Sequence, residues 1–213
     1  MGEINTRAKY VELFSGDISA KTRQQEALRQ ALDIRKFEID LYWKRATYFW
    51  TFIGASFAGF VAMESVASAF QVTYVLVCLG AVFSTGWYFV NRGSKCWQRN
   101  WERHVDLLED EVMGPLYKTT ADRYSYRFWN LADAYPFSVS KINQILNLFI
   151  IGVWSVLIVR TLALAPALSP SDKVIAVVMS ATAAAALIAL FLWGRTSPSD
   201  HEIQPQLRTR SYR

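Results

Sequence analysis

The sequence predicts an all-α fold: a four-helix transmembrane protein with cytoplasmic helical extensions. Three observations predict this class. Apolar residues, which make up 52% of the chain, are concentrated in four long runs, two of those runs carry no charge, and nearly all basic residues lie outside them. Buried helices of a soluble protein explain the runs less well, because globular helices seldom stay apolar on every side for about twenty residues.

Each apolar run is long enough to cross about 30 Å of hydrocarbon as a helix. The second and fourth runs are uncharged, whereas the first contains Glu64 and the third contains Arg160. The predicted spans lie at about 48–70, 72–90, 145–168 and 174–193.

The distribution of basic residues predicts the orientation in the membrane. Of the 23 Lys and Arg residues, all but Arg160 and Lys173 precede the first span, separate the second span from the third, or follow the fourth. Because Lys and Arg are retained on the cytoplasmic side, both termini and the central loop are expected to be cytoplasmic. The net charge of +5 then fits attraction to anionic membrane lipids and requires no nucleic-acid partner.

The chain is predicted to form one membrane domain with cytoplasmic additions. No Gly or Pro lies between Gln25 and the first span, so a single helix is expected to form a stalk and continue into the membrane. The C-terminal residues are polar and include two prolines, which is typical of disorder. The predicted divisions are a flexible cytoplasmic start at 1–24, a single four-span domain at 25–193 with its stalk at 25–47 and its cytoplasmic loop at 91–144, and a disordered cytoplasmic tail at 194–213.

Two cytoplasmic segments are amphipathic. Apolar residues recur at steps of three and four along the stalk and again over 97–112, so each segment should bury one face. Ser94, which follows Gly93, is a candidate N-cap for the second helix, and Gly114 with Pro115 is expected to end it. The residues expected to pack are Trp97, Trp101, Val105, Leu108, Val112, Ile34, Phe37 and Leu41.

The second amphipathic helix carries its charges in an unusual order. Basic residues come first and acidic residues last, which is opposite to the preference of the helix dipole. An antiparallel stalk would compensate, since it brings opposite charges together at both ends. A basic partner on a neighbouring subunit is the alternative for the acidic end. Exposed pairs contribute only about 0–1 kcal/mol each, so we expect them to fix the register while the apolar faces supply the adhesion. The predicted pairs join Arg99 and Arg103 to Glu38 and Asp33, and Asp106 and Asp110 to Arg29 and Arg35.

The two charges within the apolar runs are predicted to pair. Both spans run outward from the cytoplasm, and Glu64 and Arg160 lie at nearly the same depth in the outer half of the membrane. Charges at this depth are costly and are usually paired or functional. We therefore expect a structural ion pair between the first and third spans; the alternatives are an ion or proton pathway, or snorkelling of each side chain to the surface.

Small residues separated by four positions predict close packing between spans. This spacing allows helix backbones to approach each other in lipid. The fourth span, with its run of alanines, is the best candidate for close contact between subunits. The small residues expected at packing faces are Ala55, Gly59, Gly80, Ser84, Ser180 and Ala184.

Aromatic residues gather at the predicted cytoplasmic ends of the spans. Interfacial anchoring is the ordinary explanation for this position, so no ligand-binding role is assigned to them. These residues are Trp43, Trp50, Trp87, Tyr88 and Trp193.

The sequence lacks the patterns expected of an enzyme. It contains no phosphate-binding loop, no nucleophile elbow, no zinc-binding His–Glu motif and no cysteine cluster. His104 lies near Glu102, Asp106 and Glu109, but the spacing favours a solvated or interhelical face over a metal or acid–base site. We therefore expect a non-enzymatic protein without catalytic residues, metal ligands or a cofactor.

Three stretches carry a resemblance to a known family: "FEIDLYWKRATYFWTFIGASFAGF", "VNRGSKCWQRNWERHVDLLEDEVMGPLYK" and "FSVSKINQI". They resemble the RipA family of octameric bacterial inner-membrane proteins over roughly Ala27 to Ile151. The resemblance implies a homo-octamer in the cytoplasmic membrane of a bacterium, with a role in adaptation to stress or to a host. It carries over no catalytic residues.

Two functional hypotheses follow. The first is a non-enzymatic, multi-pass inner-membrane homo-oligomer whose cytoplasmic helices form an assembly platform. An unidentified cytoplasmic protein is a further possible partner of this platform. The alternative is an ion channel or pore-forming effector, which requires a polar stripe along a central axis. The second and fourth spans offer only weak versions of such a stripe, formed by Thr73, Ser84 and Thr85 and by Ser180 and Thr182.

Overall fold

The computed structural model describes residues 20–66, 70–119, 137–163 and 168–195. These ranges contain four helices and no strand. All four helices are long and apolar enough to cross a membrane, which confirms the predicted all-α fold with four candidate spans. The helices are α1 (Ala20–Glu64), α2 (Phe70–Val112), α3 (Val139–Ala163) and α4 (Pro170–Leu192).

The chain divides into two compact units, and α1 and α2 each contribute to both. The described part of the first, here named the extension unit, comprises 20–40 and 96–119. The remaining described residues, from 41–95 and 137–195, form the second, here named the bundle unit. The predicted boundaries of the stalk and the cytoplasmic loop stay predictions. The predicted flexible start and disordered tail lie almost entirely outside the described residues.

The buried positions of α1 follow a seam with steps of three and four residues. In the extension unit the seam includes Leu28 and Ala31, and in the bundle unit it includes Tyr42, Ala46 and Ile53. This spacing averages about 3.5 residues and is typical of helices that pack lengthwise against a partner. The helix ends at Glu64, short of residue 70, where the first span was expected to finish.

α2 is continuous through the position where a second helix was expected to start. Ser94 lies in its interior, so the prediction that Ser94 is an N-cap is wrong. Within a helix each backbone N–H already bonds to the carbonyl four residues earlier, and no free N–H remains for a cap. The predicted C-terminal stop is confirmed: α2 ends at Val112, and Gly114 has a φ of 80°, a left-handed conformation that favours glycine.

Serine side chains mark the starts of α3 and α4. Ser138 precedes α3 and accepts a hydrogen bond from the Lys141 backbone N–H at 3.4 Å. Ser169 caps α4 by accepting from the Asp172 backbone N–H at 3.2 Å, and Pro170 occupies the first turn. Both arrangements satisfy backbone donors that the first turn leaves free.

α2 is the central helix by burial. In its most apolar stretch 44% of the residues are buried, against 22% for α1, 11% for α3 and 6% for α4. The apolar surfaces of α3 and α4 must therefore be covered by lipid or by other chains. The largest buried cluster of the bundle unit comprises Phe60, Tyr74, Val77, Cys78, Trp154 and Ala176.

Candidate functional site

The extension unit has a core of its own, built from both of its helices. Leu28 and Ala31 of α1 are buried with Val105 and Leu108 of α2. Trp101 and Val112, two of the predicted packing residues, lie against this cluster together with Ala27, Leu32 and Leu107. Most of the residues predicted to pack on α2 therefore do lie in this core. On α1, the buried residues are instead Leu28 and Ala31, which precede the predicted packing residues.

Two predicted packing residues are not buried in the single chain. Phe37 is 58% exposed and Trp97 is 49% exposed, and neither packs against the core cluster of the unit. Each residue lies one position before a half-buried one, Glu38 or Gln98, and one residue turns a helix by about 100°. Ile34 and Leu41 are half-buried but lie outside the core cluster.

The predicted charge pairs of the extension unit are not formed between described residues of a single chain. Among the described residues, the structure does not place Arg99 or Arg103 within ion-pair distance of Glu38 or Asp33. The continuous α2 removes the reason for the prediction, because these arginines lie in the helix interior and not at a positive helix end. At the acidic end, Asp110 pairs with Lys118 at 2.7 Å instead of with Arg29 or Arg35.

Glu109 was missed by the sequence analysis as a site residue. Its carboxylate is fully buried, and Oε2 accepts a hydrogen bond of 2.7 Å from the Tyr117 backbone N–H. The Arg35 guanidinium lies 5.2 Å from the centre of the Tyr117 ring. Glu109 therefore ties the turn after α2 back to the helix. The available signal was its position four residues after Val105, on the buried seam.

His104 is half-buried in the extension unit. Its ring centre lies 5.2 Å from that of Trp101, and burial lowers the pKa of the His104 imidazole below its usual value. Within the described residues, no group of three or more His, Cys, Asp or Glu side chains could hold a metal ion.

The two charges of the apolar runs meet in the bundle unit. Arg160 donates from Nη1 to Glu64 Oε2 at 3.0 Å and from Nη2 to Glu64 Oε1, so the contact is bidentate. The side chains are 44% and 43% exposed, respectively. Beside them is a cleft of about 140 Å³ lined by Phe70, Thr73 and Thr161, among others. The geometry expected for the ion pair is therefore present, on the surface of the single chain.

Small residues divide into two groups. Gly80 faces the ring of Trp154, Gly59 lies against Leu76, and Ser84 is fully buried. Ser180 Oγ lies 2.7 Å from Tyr74 Oη, which joins α4 to α2. These four lie at helix contacts, as the spacing predicts. The other two, Ala55 and Ala184, are exposed in the single chain.

Asn147, which the sequence analysis did not single out, connects α3 to the backbone of α2. Its side chain is 2% exposed. With the amide oriented to satisfy its surroundings, Nδ2 donates to Ser84 O at 3.1 Å and Oδ1 accepts from Tyr88 N at 2.9 Å. A polar Asn within the apolar stretch "ILNLFIIGVW" was the signal in the sequence, since such residues usually bond across helices in membranes.

The aromatic residues at the predicted cytoplasmic ends do not all have the same role. Trp43, Trp50 and Trp193 are exposed, as interfacial anchors should be. Trp87 is instead buried, with its ring stacked on Phe49, so an anchoring role for Trp87 is wrong. Its position on the buried seam of α2 explains the difference.

The fold defines a multi-pass helical membrane protein, and comparison with known proteins supplies the family. The profile of the octameric membrane protein family (8xMP) matches residues 25–163, about two thirds of the chain. The chain belongs to this family, which bears out the resemblance to octameric membrane proteins and implies self-association. No curated protein and no solved structure matches it significantly. The family match spans α1 to α3, and α4 follows it.

Proposed function

We propose that the protein is a non-enzymatic octamer of the bacterial inner membrane whose extension units form a cytoplasmic assembly platform used in adaptation to stress or to a host. The observation that carries this proposal is the packed core of the extension unit. The α1 residues before the predicted first span, 20–47, correspond to about 40 Å of helix. They are not an isolated stalk, since Leu28 and Ala31 are buried against Val105 and Leu108.

Self-association brings several copies of the extension unit into one assembly. An octamer contains eight extension units, and each has exposed aromatic side chains at Phe37 and Trp97. Large apolar side chains outside a membrane are best covered by protein. Neighbouring copies of the chain, or a cytoplasmic protein, would cover them in the platform.

Three of the five Ser and Thr hydroxyl groups of the second and fourth spans support the platform over a channel. Thr85 and Thr182 bond to the carbonyls of Ala81 and Val178 in their own helices. Ser180 contacts Tyr74. These groups have intrachain partners, so they contribute little to the polar stripe that a conducting axis would need.

Ion flux through purified protein in liposomes separates the two functions. The platform predicts no flux above that of protein-free liposomes under any applied voltage. Octamer content is measured on the same preparation by mass photometry. Selective, protein-dependent flux from octameric samples would overturn the platform and favour the channel.

The assembly role of the extension unit is tested with Leu28→Asn and a matched control, Gln25→Asn. Leu28 is buried and Gln25 is exposed on the same helix, so both variants lose similar helix propensity but only one disturbs the core. We expect Leu28→Asn to reduce the octamer fraction and Gln25→Asn to leave it unchanged. Equal octamer content in both variants would show that assembly does not use this unit.

The orientation is tested with the native cysteines. Cys96 is exposed in the extension unit and Cys78 is buried in the bundle unit. A membrane-impermeant maleimide should therefore label Cys96 in inverted membrane vesicles and leave it unlabelled in intact spheroplasts. Labelling from the outside would reverse the proposed orientation.

A further inference from the structure

The bundle unit concentrates positive charge at one end. Contacts between helices show that the start of α3 lies near the α1 residues that open the unit, and that the end of α4 lies near Phe89, in the last part of α2 that belongs to the unit. Basic residues on α1, α2 and α3 and directly after α4 lie there, whereas the carboxylates of the described unit, Glu64 and Asp172, lie toward the other helix ends. The basic residues are Lys44, Arg45, Arg92, Lys95, Lys141 and Arg195.

Arg45 differs from the other five because its side chain makes a specific contact with a buried group. It is half-buried, and Nη1 donates to Ser94 Oγ at 3.1 Å. Ser94 itself is only 3% exposed. Among the described residues no carboxylate lies within ion-pair distance of Arg45. A guanidinium has five N–H donors, so one bond to a neutral hydroxyl leaves its charge and most of its donors available for an anion.

Asn91 adds unused hydrogen-bonding capacity next to this contact. It precedes Ser94 by three residues, close to one helical turn, and so lies on the same side of α2. Its side chain is fully buried, and neither amide atom has a hydrogen-bond partner in the described part of the chain. Buried polar groups are normally satisfied, so this side of α2 is built to meet a further polar group.

The position of the contact along the helices matches lipid headgroups. Arg45 precedes the predicted first span at Tyr48, and Ser94 follows the end of the predicted second span at Val90. Each lies about 4.5–6 Å of helix outside the apolar stretch. Exposed Trp43 is on the neighbouring part of α1, where tryptophan is typical of a membrane–water interface.

We propose that Arg45 and Ser94, with Asn91 behind them, bind the phosphate of an anionic phospholipid headgroup. A guanidinium matches phosphate oxygens with two parallel hydrogen bonds, and the Ser94 hydroxyl fixes the direction of the fork. The other basic residues of this end attract the anionic leaflet without selecting one lipid molecule. The site does not depend on the platform function, because both side chains belong to the bundle unit of a single chain.

The test compares Arg45→Gln with Lys44→Gln in the purified full-length protein. Both variants remove one positive charge at adjacent positions, but Lys44 is exposed and has no hydrogen bond of its own among the described residues. The readout is the shift in melting temperature in detergent on addition of phosphatidylglycerol or phosphatidylcholine. We expect wild type and Lys44→Gln to be stabilised more by phosphatidylglycerol, and Arg45→Gln to lose most of that preference. Arg45→Lys, which keeps the charge but not the fork, should retain part of it.

Three outcomes would overturn the site. An equal loss of preference in Arg45→Gln and Lys44→Gln would indicate diffuse attraction to charge. Stabilisation of wild type by inorganic phosphate as large as that by phosphatidylglycerol would indicate a site for the free anion. An unchanged lipid preference in Arg45→Gln, with a loss of octamer, would indicate that Arg45 meets a carboxylate of another copy.

A second variant covers the case in which Arg45→Gln does not fold. Ser94→Ala removes one hydroxyl from the site and leaves every charge in place. We expect it to reduce the preference for phosphatidylglycerol, and an unreduced preference would count against the site. Octamer content is measured in the same samples, so a failure of the lipid site and a failure of assembly are distinguished.

Discussion

The indole ring of Trp154 on α3 lies directly against Gly80 on α2. A methyl group at position 80 would overlap the ring atoms Cδ2, Cε2 and Cζ2. Trp154 is fully buried, and its other neighbours include Phe57, whose ring centre lies 4.0 Å away. The contact between α2 and α3 therefore requires a residue without a side chain at this position.

Gly80→Ala is expected to destabilise the protein by overpacking. Inserting a methyl group into a packed contact typically costs about 1–3 kcal/mol, and the ring cannot move away without disturbing Phe57. Unfolding by denaturant in detergent micelles measures the effect. Gly93→Ala is the control on the same helix, because a methyl group there meets nothing within 4 Å; it should be neutral or stabilising. Equal stability of the two variants would contradict the packing.

Asn147→Ala is expected to weaken the attachment of α3 to α2. The variant loses the hydrogen bonds to Ser84 O and Tyr88 N, and interhelical bonds of this kind contribute about 0.6–2 kcal/mol in membranes. The same unfolding measurement applies. Ser155→Ala is the matched control, since Ser155 is exposed and bonds only within its own helix, to Ile151 O. A loss of stability no greater than that of the control would show that the amide does not join the helices.

Exchanging the charges of Glu64 and Arg160 tests the ion pair. Either Glu64→Arg or Arg160→Glu alone places two like charges together and should reduce the amount of folded octamer. The double variant restores opposite charges and should recover a substantial part of it. Fluorescence-detected size-exclusion chromatography measures the yield. Because both side chains are more than 40% exposed in the single chain, the coupling also depends on what surrounds them in the assembly.

The exchange also separates a structural pair from a pathway. If the loss of folded octamer in the double variant equalled the summed losses of the two single variants, the pair would not be a stabilising contact. Recovered assembly with altered ion flux in liposomes would instead favour the pathway.

His104 is expected to titrate below the ordinary imidazole pKa of about 6.5. Burial disfavours the charged ring, so the pKa of His104 is lower in the folded protein than in the unfolded chain. The unfolded chain then binds more protons. This contribution to stability is complete above about pH 6.5 and is lost as the pH falls through the folded-state value. NMR titration of His201→Asn, which leaves His104 as the single histidine, measures it. A midpoint at or above 6.5 would contradict the prediction.

The part of the fold that the sequence predicts best is the part set by composition. Apolar runs give four spans because lipid requires every backbone group to be bonded within the helix. Gly114 could be recognised as the end of α2, since a left-handed residue there strongly favours glycine. The start of a separate helix at Ser94 could not be judged, because a serine after a glycine fits either a cap or a helix interior.

Contacts between helices were less accessible from the sequence. The spacing of apolar residues correctly predicted that Val105 and Leu108 are buried. It also predicted that Phe37 lies on the packed face of α1, but Glu38 is closer to the buried seam of that helix. A shift of one residue turns a side chain by about 100°, and a mixed stripe of apolar residues does not fix the phase that closely. For the same reason the burial of Trp87 could not be predicted, because its position in the sequence is also typical of an interfacial anchor.

The sequence by itself determined the membrane class, the four spans, the resemblance to an octameric family and the presence of opposite charges at similar depth in the first and third spans. Those properties depend on residue type and on distance along one helix. Only the tertiary structure decided that Asn147 bonds to α2, that Trp154 faces Gly80 and that Ser94 accepts from Arg45. Each of these contacts depends on the rotation and register of two helices, which are set by side-chain packing that neither helix specifies alone.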